Sequence, residues 1–97
     1  MRLQQYEREC IIALANTIFG QGSKVILFGS RVYDHLKGGD IDLYIQPAQQ
    51  EDLSQKKIDF LVALKTKIGD QKIDLVLAKD KLRLIEQEAL NKGVELA

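Results

Sequence analysis

Helical and strand periodicities that alternate along the chain predict a small α+β domain, a two-layer fold in which helices flank a sheet. Three observations carry that expectation. Apolar stripes at 3.6-residue spacing open, divide and close the sequence. Between them lie three short runs, Val25-Ile26-Leu27-Phe28, Asp40-Ile41-Asp42-Leu43-Tyr44-Ile45 and Lys72-Ile73-Asp74-Leu75-Val76-Leu77, which are either continuously apolar or alternate with period two. Glycines punctuate the joins, at Gly20 and Gly22, Gly38 and Gly39, Gly69, and Gly93. The resulting order is α-β-α-β-α-β-α. At 97 residues the chain has room for one core, so a single domain over 1–97 is expected.

The first helix is expected over residues 3–18, with Leu3, Tyr6, Cys10, Ile11, Leu14 and Ile18 on one side. Tyr6, Phe19, Phe28 and Phe60 read as core. The first strand, Val25 to Phe28, stops at Gly29-Ser30, and residues 30–36 have the length of a short helix closed by Gly38-Gly39. The second strand ends before Pro47, which cannot donate to a ladder. A second long helix is expected over 51–68 on Leu53, Phe60, Leu61, Leu64 and Ile68. After the third strand, Asp80 is placed to cap a last helix running to about Leu90. The second and third strands are joined through a long helix, so they should form a right-handed parallel crossover. Only eleven residues, 29–39, join the first and second strands, which leaves a parallel and an antiparallel arrangement both open.

Composition excludes several functions. Hydrophobic residues make up 45% and charged residues 29%, ordinary for a soluble globular chain. Fourteen basic residues balance fourteen acidic ones, so strong direct binding to nucleic acid through bulk charge is not expected. The single Cys10 allows no internal disulfide, and no paired Cys/His spacing suggests structural zinc. No apolar run approaches a bilayer span and the first residues are too polar for a signal peptide, so a cytoplasmic protein without a membrane partner is expected.

The informative residues are acids that interrupt the strands. Asp40 and Asp42, two apart, leave one face of a strand with Cα atoms roughly 6.5 to 7 Å apart. Asp74 stands in the third strand among Ile73, Leu75 and Val76. A single strand-border Asp is most often simply solvated. Three brought together repel one another unless cations intervene, and oxygen donors of this kind suit Mg²⁺ or Mn²⁺. Upstream, Phe28-Gly29-Ser30-Arg31 is a strand-to-helix turn. Glycine there permits close approach of a ligand, Ser30 adds a hydroxyl and Arg31 a cation for phosphate. Neither G-x-x-x-x-G-K-[ST] nor G-x-G-x-x-G is present, which argues against P-loop and dinucleotide folds. A phosphate-holding turn beside three acids suits a nucleoside triphosphate whose phosphates are bridged by metal to an attacking hydroxyl.

Leu27-Phe28-Gly29-Ser30, nine residues, Asp40-Ile41-Asp42-Leu43, and later Ile73-Asp74-Leu75-Val76 together resemble the nucleotidyltransferase pattern of the DNA polymerase β superfamily. The closest likeness is to its minimal nucleotidyltransferase (MNT) branch. The resemblance implies a mixed sheet of three or more strands, with the first two antiparallel. It implies that Gly29 and Ser30, with Arg31 beside them, hold the phosphates of ATP or another nucleotide. It also implies that Asp40 and Asp42 bind two divalent ions, Mg²⁺ or Mn²⁺. Asp74 would join one metal and favour deprotonation of the acceptor. Val32-Tyr33-Asp34 departs from the pattern, in which a small residue, a basic residue and glycine are common.

MNT proteins act as antitoxins by transferring AMP to a tyrosine of a HEPN-domain ribonuclease. The resemblance therefore implies a HEPN-domain partner encoded nearby. A domain of this length is expected to need such a partner, or a second copy of itself, to present the acceptor. The contrasting reading is a binding protein that masks its partner by contact and merely retains metal or nucleotide. His35 reads as a surface residue. Tyr33 and Tyr44 could stack on a base, although Tyr44 equally suits covering the sheet. Lys56-Lys57 and the cluster from Lys79 to Arg83 read as solvated helix faces. Ile12, Ile58, Val62 and Leu84 lie off the main apolar stripes and are expected to mark an interface.

Overall fold

A computed structural model describes residues 3–33, 39–80 and 82–97. Helix α1 spans Gln5–Phe19, burying Cys10, Ile11, Ala15 and Phe19 on one stripe. At its start the Gln4 N–H donates to Oε1 of Glu7 (3.0 Å), satisfying one of the groups a helix end leaves open. Strand β1, Lys24–Phe28, runs into a 3₁₀ turn at Gly29–Val32. Strand β2 spans Ile41–Gln46, helix α2 Leu53–Ile68, strand β3 Ile73–Leu77, helix α3 Leu84–Lys92 and strand β4 Val94–Glu95. The sheet order is β3-β2-β1-β4. β2 pairs antiparallel with β1 and parallel with β3, and β4 pairs antiparallel with β1, so the sheet is mixed.

The period-two alternation of the strands divides the sheet into two unlike faces. Val25, Leu27, Ile41, Leu43, Ile45, Ile73 and Leu75 point to the face covered by α1 and α2. There they form the main core with Cys10, Ile11, Phe19, Phe60 and Leu64. Phe19 and Phe60 join the two helices with ring centroids 5.6 Å apart. Ile26, Phe28, Tyr44 and Val76 point to the other face and pack with Ala89 of α3. The next positions along that face are Asp42 and Asp74. α3 therefore covers the apolar half of this face, and the acids lie beyond it.

A buried carboxylate holds α3 there. Glu86 is fully buried and accepts from the Tyr44 hydroxyl (2.8 Å) at one oxygen. Its other oxygen accepts from the N–H groups of Lys79 (3.1 Å) and Asp80 (2.8 Å) and from Nε of Arg83 (2.8 Å). Burial pulls the Glu86 carboxyl upward, but the bonds from Asp80, Tyr44, Lys79 and Arg83 outweigh it and hold the carboxyl below the ordinary range. β2, the β3–α3 connection and α3 thus meet at a single side chain.

Four expectations need correction. The helix expected over 30–36 is instead the four-residue 3₁₀ turn, and Tyr33 after it is extended at φ −104° and ψ 121°. β-branched Val32 and aromatic Tyr33 favour that extension over a helix. Asp34, His35 and Gly38 lie outside the described residues. The last helix begins at Leu84, with Arg83 rather than Asp80 at its cap. Oδ1 of Asp80 accepts from the N–H of Leu82 (2.9 Å), a local turn that competes with helix. Arg83, expected on a solvated face, reaches inward to Glu86. Finally, Tyr6 is not core: it is 56% exposed, with its hydroxyl donating to the Lys67 carbonyl (3.3 Å) at the rim between α1 and α2.

β4 adds a strand too short to leave a periodic signal. It lies against β1 because Gly93 has no side chain: a Cβ there would overlap Ile26 and the Ala89 carbonyl. Among the described residues no helix is long and apolar enough to cross a membrane.

Loss of the Glu86 anchor should be the costlier of two substitutions in this network. Glu86→Ala strands the buried Tyr44 hydroxyl and three part-buried donors and is expected to cost about 3 kcal/mol or more. Tyr44→Phe removes one hydrogen bond and should cost about 1 kcal/mol. Urea unfolding of both variants checks the ranking.

Candidate active site

The site arises where β1 ends and β2 and β3 begin. Antiparallel register sets Phe28 opposite Asp42, which brings Asp42 beside the Gly29 turn. Parallel register sets Asp42 opposite Asp74. Gly29 has φ +77°, a conformation that side chains disfavour, and a Cβ at this position would overlap Oδ2 of Asp42 and stand 3.1 Å from its Cγ. Glycine is therefore required twice, for the backbone turn and for the room given to the carboxylate.

Asp42 is half-buried and its carboxyl is pushed up to about 6. Burial is the largest cause, followed by the like charges of Asp74 and Asp40 and a hydrogen bond with the Asp74 carboxyl; Lys72 opposes them. Asp74 is exposed at the start of β3. Asp40 falls one residue before β2 rather than within it. The Ile41 N–H donates to the Lys72 carbonyl (3.0 Å), and Nζ of Lys72 pairs with Oδ2 of Asp40 at 3.4 Å.

The structure thus brings Gly29, Asp42 and Asp74 together, with Asp40 alongside on its lysine. Ser30 follows in the 3₁₀ turn, its carbonyl accepting from the Tyr33 N–H (3.2 Å). A turn of four residues has little helix dipole, so the groups it offers a phosphate are its backbone amides and the Ser30 hydroxyl. Arg31 donates from Nη2 to Oε1 of Gln71 (3.2 Å), and Gln71 donates from Nε2 to Oε2 of Glu7 (2.6 Å). These three side chains, with Leu3 and Gln4, line a cavity of about 480 Å³. Tyr33 is exposed, while Tyr44 is buried against Glu86 and covers the sheet rather than presenting a ring to a base.

Sequence reasoning missed Lys72 and Gln71. Lys72 carries a signal once the parallel register is known, because it precedes the partner of Ile41 and so falls beside Asp40. Gln71 and its link to Glu7 carry none, since a contact 64 residues distant in sequence leaves no local pattern.

A mixed sheet whose first strand ends in a glycine turn against acids on the next two strands defines a class of enzymes that transfer nucleotidyl groups. The family model described as "Polymerase beta, Nucleotidyltransferase" matches residues 11–97, and the chain belongs to this family. Nucleotidyl transfer is accordingly the general activity of the fold. Among curated proteins no sequence matches the chain.

Members of this family use a nucleoside triphosphate and divalent metal ions. Among the described residues no three His, Cys, Asp or Glu side chains are gathered as a metal-holding group. Asp42 and Asp74 stand opposite each other in the parallel register, whereas Asp40 is engaged by Lys72. The donor set still fits the group. Asp42 and Asp74 offer hard oxygens whose mutual repulsion a cation would relieve, and Gly29 leaves the Asp42 carboxylate unobstructed.

Two stability measurements probe this geometry. Gly29→Ala should cost about 2 kcal/mol or more in urea unfolding, because a left-handed backbone and a clash with Asp42 add. Asp42→Asn should stabilise the metal-free protein with a definite pH dependence. The folded carboxyl, raised from 3.8 to about 6, binds a proton more tightly than the unfolded one. Wild-type stability therefore falls as pH rises from about 4 to about 6 and levels off above. The variant lacks that fall, so its advantage in Tm should be absent below pH 4 and constant above pH 6.5.

Proposed function

We propose that this protein is a metal-dependent nucleotidyltransferase that moves AMP from ATP to a protein hydroxyl, a tyrosine of a HEPN-domain ribonuclease, and so acts as an antitoxin. The observation that carries the catalytic part is the double register at Asp42, opposite Phe28 on one side and Asp74 on the other. The partner and acceptor follow from the resemblance to the MNT branch, not from the site.

In this reading the backbone of Gly29 and the Ser30 hydroxyl hold the β- and γ-phosphates, with Arg31 beside them. Asp42, Asp74 and Asp40 are the ligands for Mg²⁺ or Mn²⁺, up to two ions. When bound, the cations neutralise charge developing on the α-phosphoryl group and the leaving pyrophosphate. Asp74, the exposed acid, takes the proton as the acceptor's hydroxyl oxygen forms its bond to the α-phosphorus. The bond from that phosphorus to the bridging oxygen breaks, giving a nucleotidylated acceptor and pyrophosphate. Asp42, nearer the turn, fixes the position of the triphosphate relative to Asp74.

Exposed apolar side chains support a protein acceptor. Ile58 and Val62 stand four apart on α2, and Leu82, Leu84 and Ile85 cluster at the start of α3, all of them exposed. Ile12, by contrast, is partly buried against the main core and does not contribute to such a surface.

The test is co-expression with the neighbouring HEPN-type reading frame, incubation with ATP and Mg²⁺, and mass spectrometry of the partner for added AMP. Asp42→Asn and Asp74→Asn should each lower transfer by about 10²-fold or more while circular dichroism stays native. A stable complex with no modification under any condition would replace catalysis by masking. A protein that ignores its neighbour would remove the antitoxin role.

A further inference from the structure

Lys72 has no part in the reading above, yet the fold delivers it to the acids. The register that pairs Ile41 with Ile73 places Lys72 beside Asp40, and the Ile41 N–H to Lys72 carbonyl bond fixes the two backbones side by side. Its ammonium lies 3.4 Å from Oδ2 of Asp40, with the lysine side chain 71% exposed and the aspartate 37%. An exposed pair of this kind contributes little to stability. Its position matters more than its strength, because the partner it engages is the acid missing from the Asp42–Asp74 pair.

We propose that Lys72 is a built-in counter-ion that engages Asp40 and competes with the divalent cation, so that the site holds metal weakly until a nucleotide supplies phosphate oxygens. This rests on the metal-dependent reading of the site. Two effects act in the same direction. Asp40 must leave Lys72 before its oxygens serve a metal, and the ammonium repels any cation bound at the neighbouring acids. A unit charge and a divalent ion roughly 6 Å apart in water repel enough to weaken binding about tenfold, and salt reduces this. A bound triphosphate brings negative charge that offsets the lysine as well as further ligands for the ion. Metal and nucleotide would then load together.

The experiment measures Mn²⁺ binding to the nucleotide-free protein by electron paramagnetic resonance of the free ion. Wild type, Lys72→Gln and Lys72→Arg are compared. Lys72→Gln should bind Mn²⁺ about three- to tenfold more tightly than wild type, and Lys72→Arg, which keeps the charge, should remain within about twofold of wild type. Lys72→Gln affinity equal to or weaker than wild type overturns the counter-ion role while leaving the metal site in place. An equal gain in Lys72→Arg also overturns it, since charge would then not be the cause. Should none of the three proteins bind Mn²⁺, even with a non-hydrolysable ATP analogue present, the metal-dependent reading falls and takes this inference with it. The exposed position of Lys72 makes loss of folding no explanation for any of these outcomes, and circular dichroism of each variant verifies it.

Discussion

An ionisable carboxylate in an interior strand of a sheet constrains everything around it, and in this protein that carboxylate is Asp42. Both neighbours of β2 contribute. β1 must end at its level, since continuing the strand would bury the acid further, and the chain must leave β1 through a residue with no side chain. β3 must present an exposed residue opposite, which is Asp74. The result is a carboxyl held well above its ordinary range by burial and by its fellow acids. A group with that history favours a positive ligand, and the turn and the register set it beside a second acid.

The two faces of the sheet divide the work that this imposes. On the α1 and α2 side, every inward strand position from Val25 to Leu75 is apolar and closely packed, and this face carries the stability of the domain. On the other side a small apolar patch around Tyr44 and Ala89 suffices to seat α3. Glu86 fixes where that helix stops. Because its carboxylate binds the Tyr44 hydroxyl, the two N–H groups before the helix and Arg83, α3 is tied to the far half of β2. A helix free to slide along this face would cover Asp42 and Asp74, so a buried ionic anchor serves position as much as stability.

What the sequence revealed and what it hid follow from the range of each interaction. Stripes at helical spacing located α1 and α2, and period two located β2, because those signals are local. The antiparallel pairing of β1 and β2 was open on chain length alone, and only the resemblance carried by Gly29, Asp40, Asp42 and Asp74 chose it. The late start of α3 was hidden because an Asp such as Asp80 suits a helix cap and a local turn alike, and the length of residues 30–36 alone could not tell a short helix from a 3₁₀ turn. Tyr44 and Glu86 are 42 residues apart, as unreadable in sequence as Glu7 with Gln71. Asp40 shows the limit most clearly. Its spacing from Asp42 placed it on the same face, but only the parallel register shows that a lysine waits beside it.

The arrangement at the acids is better understood as a tension kept than as an interaction gained. Apolar side chains at positions 42 and 74 would extend the patch beneath α3, remove the repulsion and shed the desolvation of a carboxylate, each a gain in stability. Asp42 and Asp74 do none of this for the fold. Nor does Lys72 relieve them fully, since its ammonium engages Asp40 and only lowers the strain at Asp42 from a distance. The fold sets two carboxyls opposite each other while a nearby cation engages the third, and burial on the opposite face offsets that cost. Such a balance has physical sense where the missing positive charge is supplied from outside, as the metal-dependent reading proposed above requires.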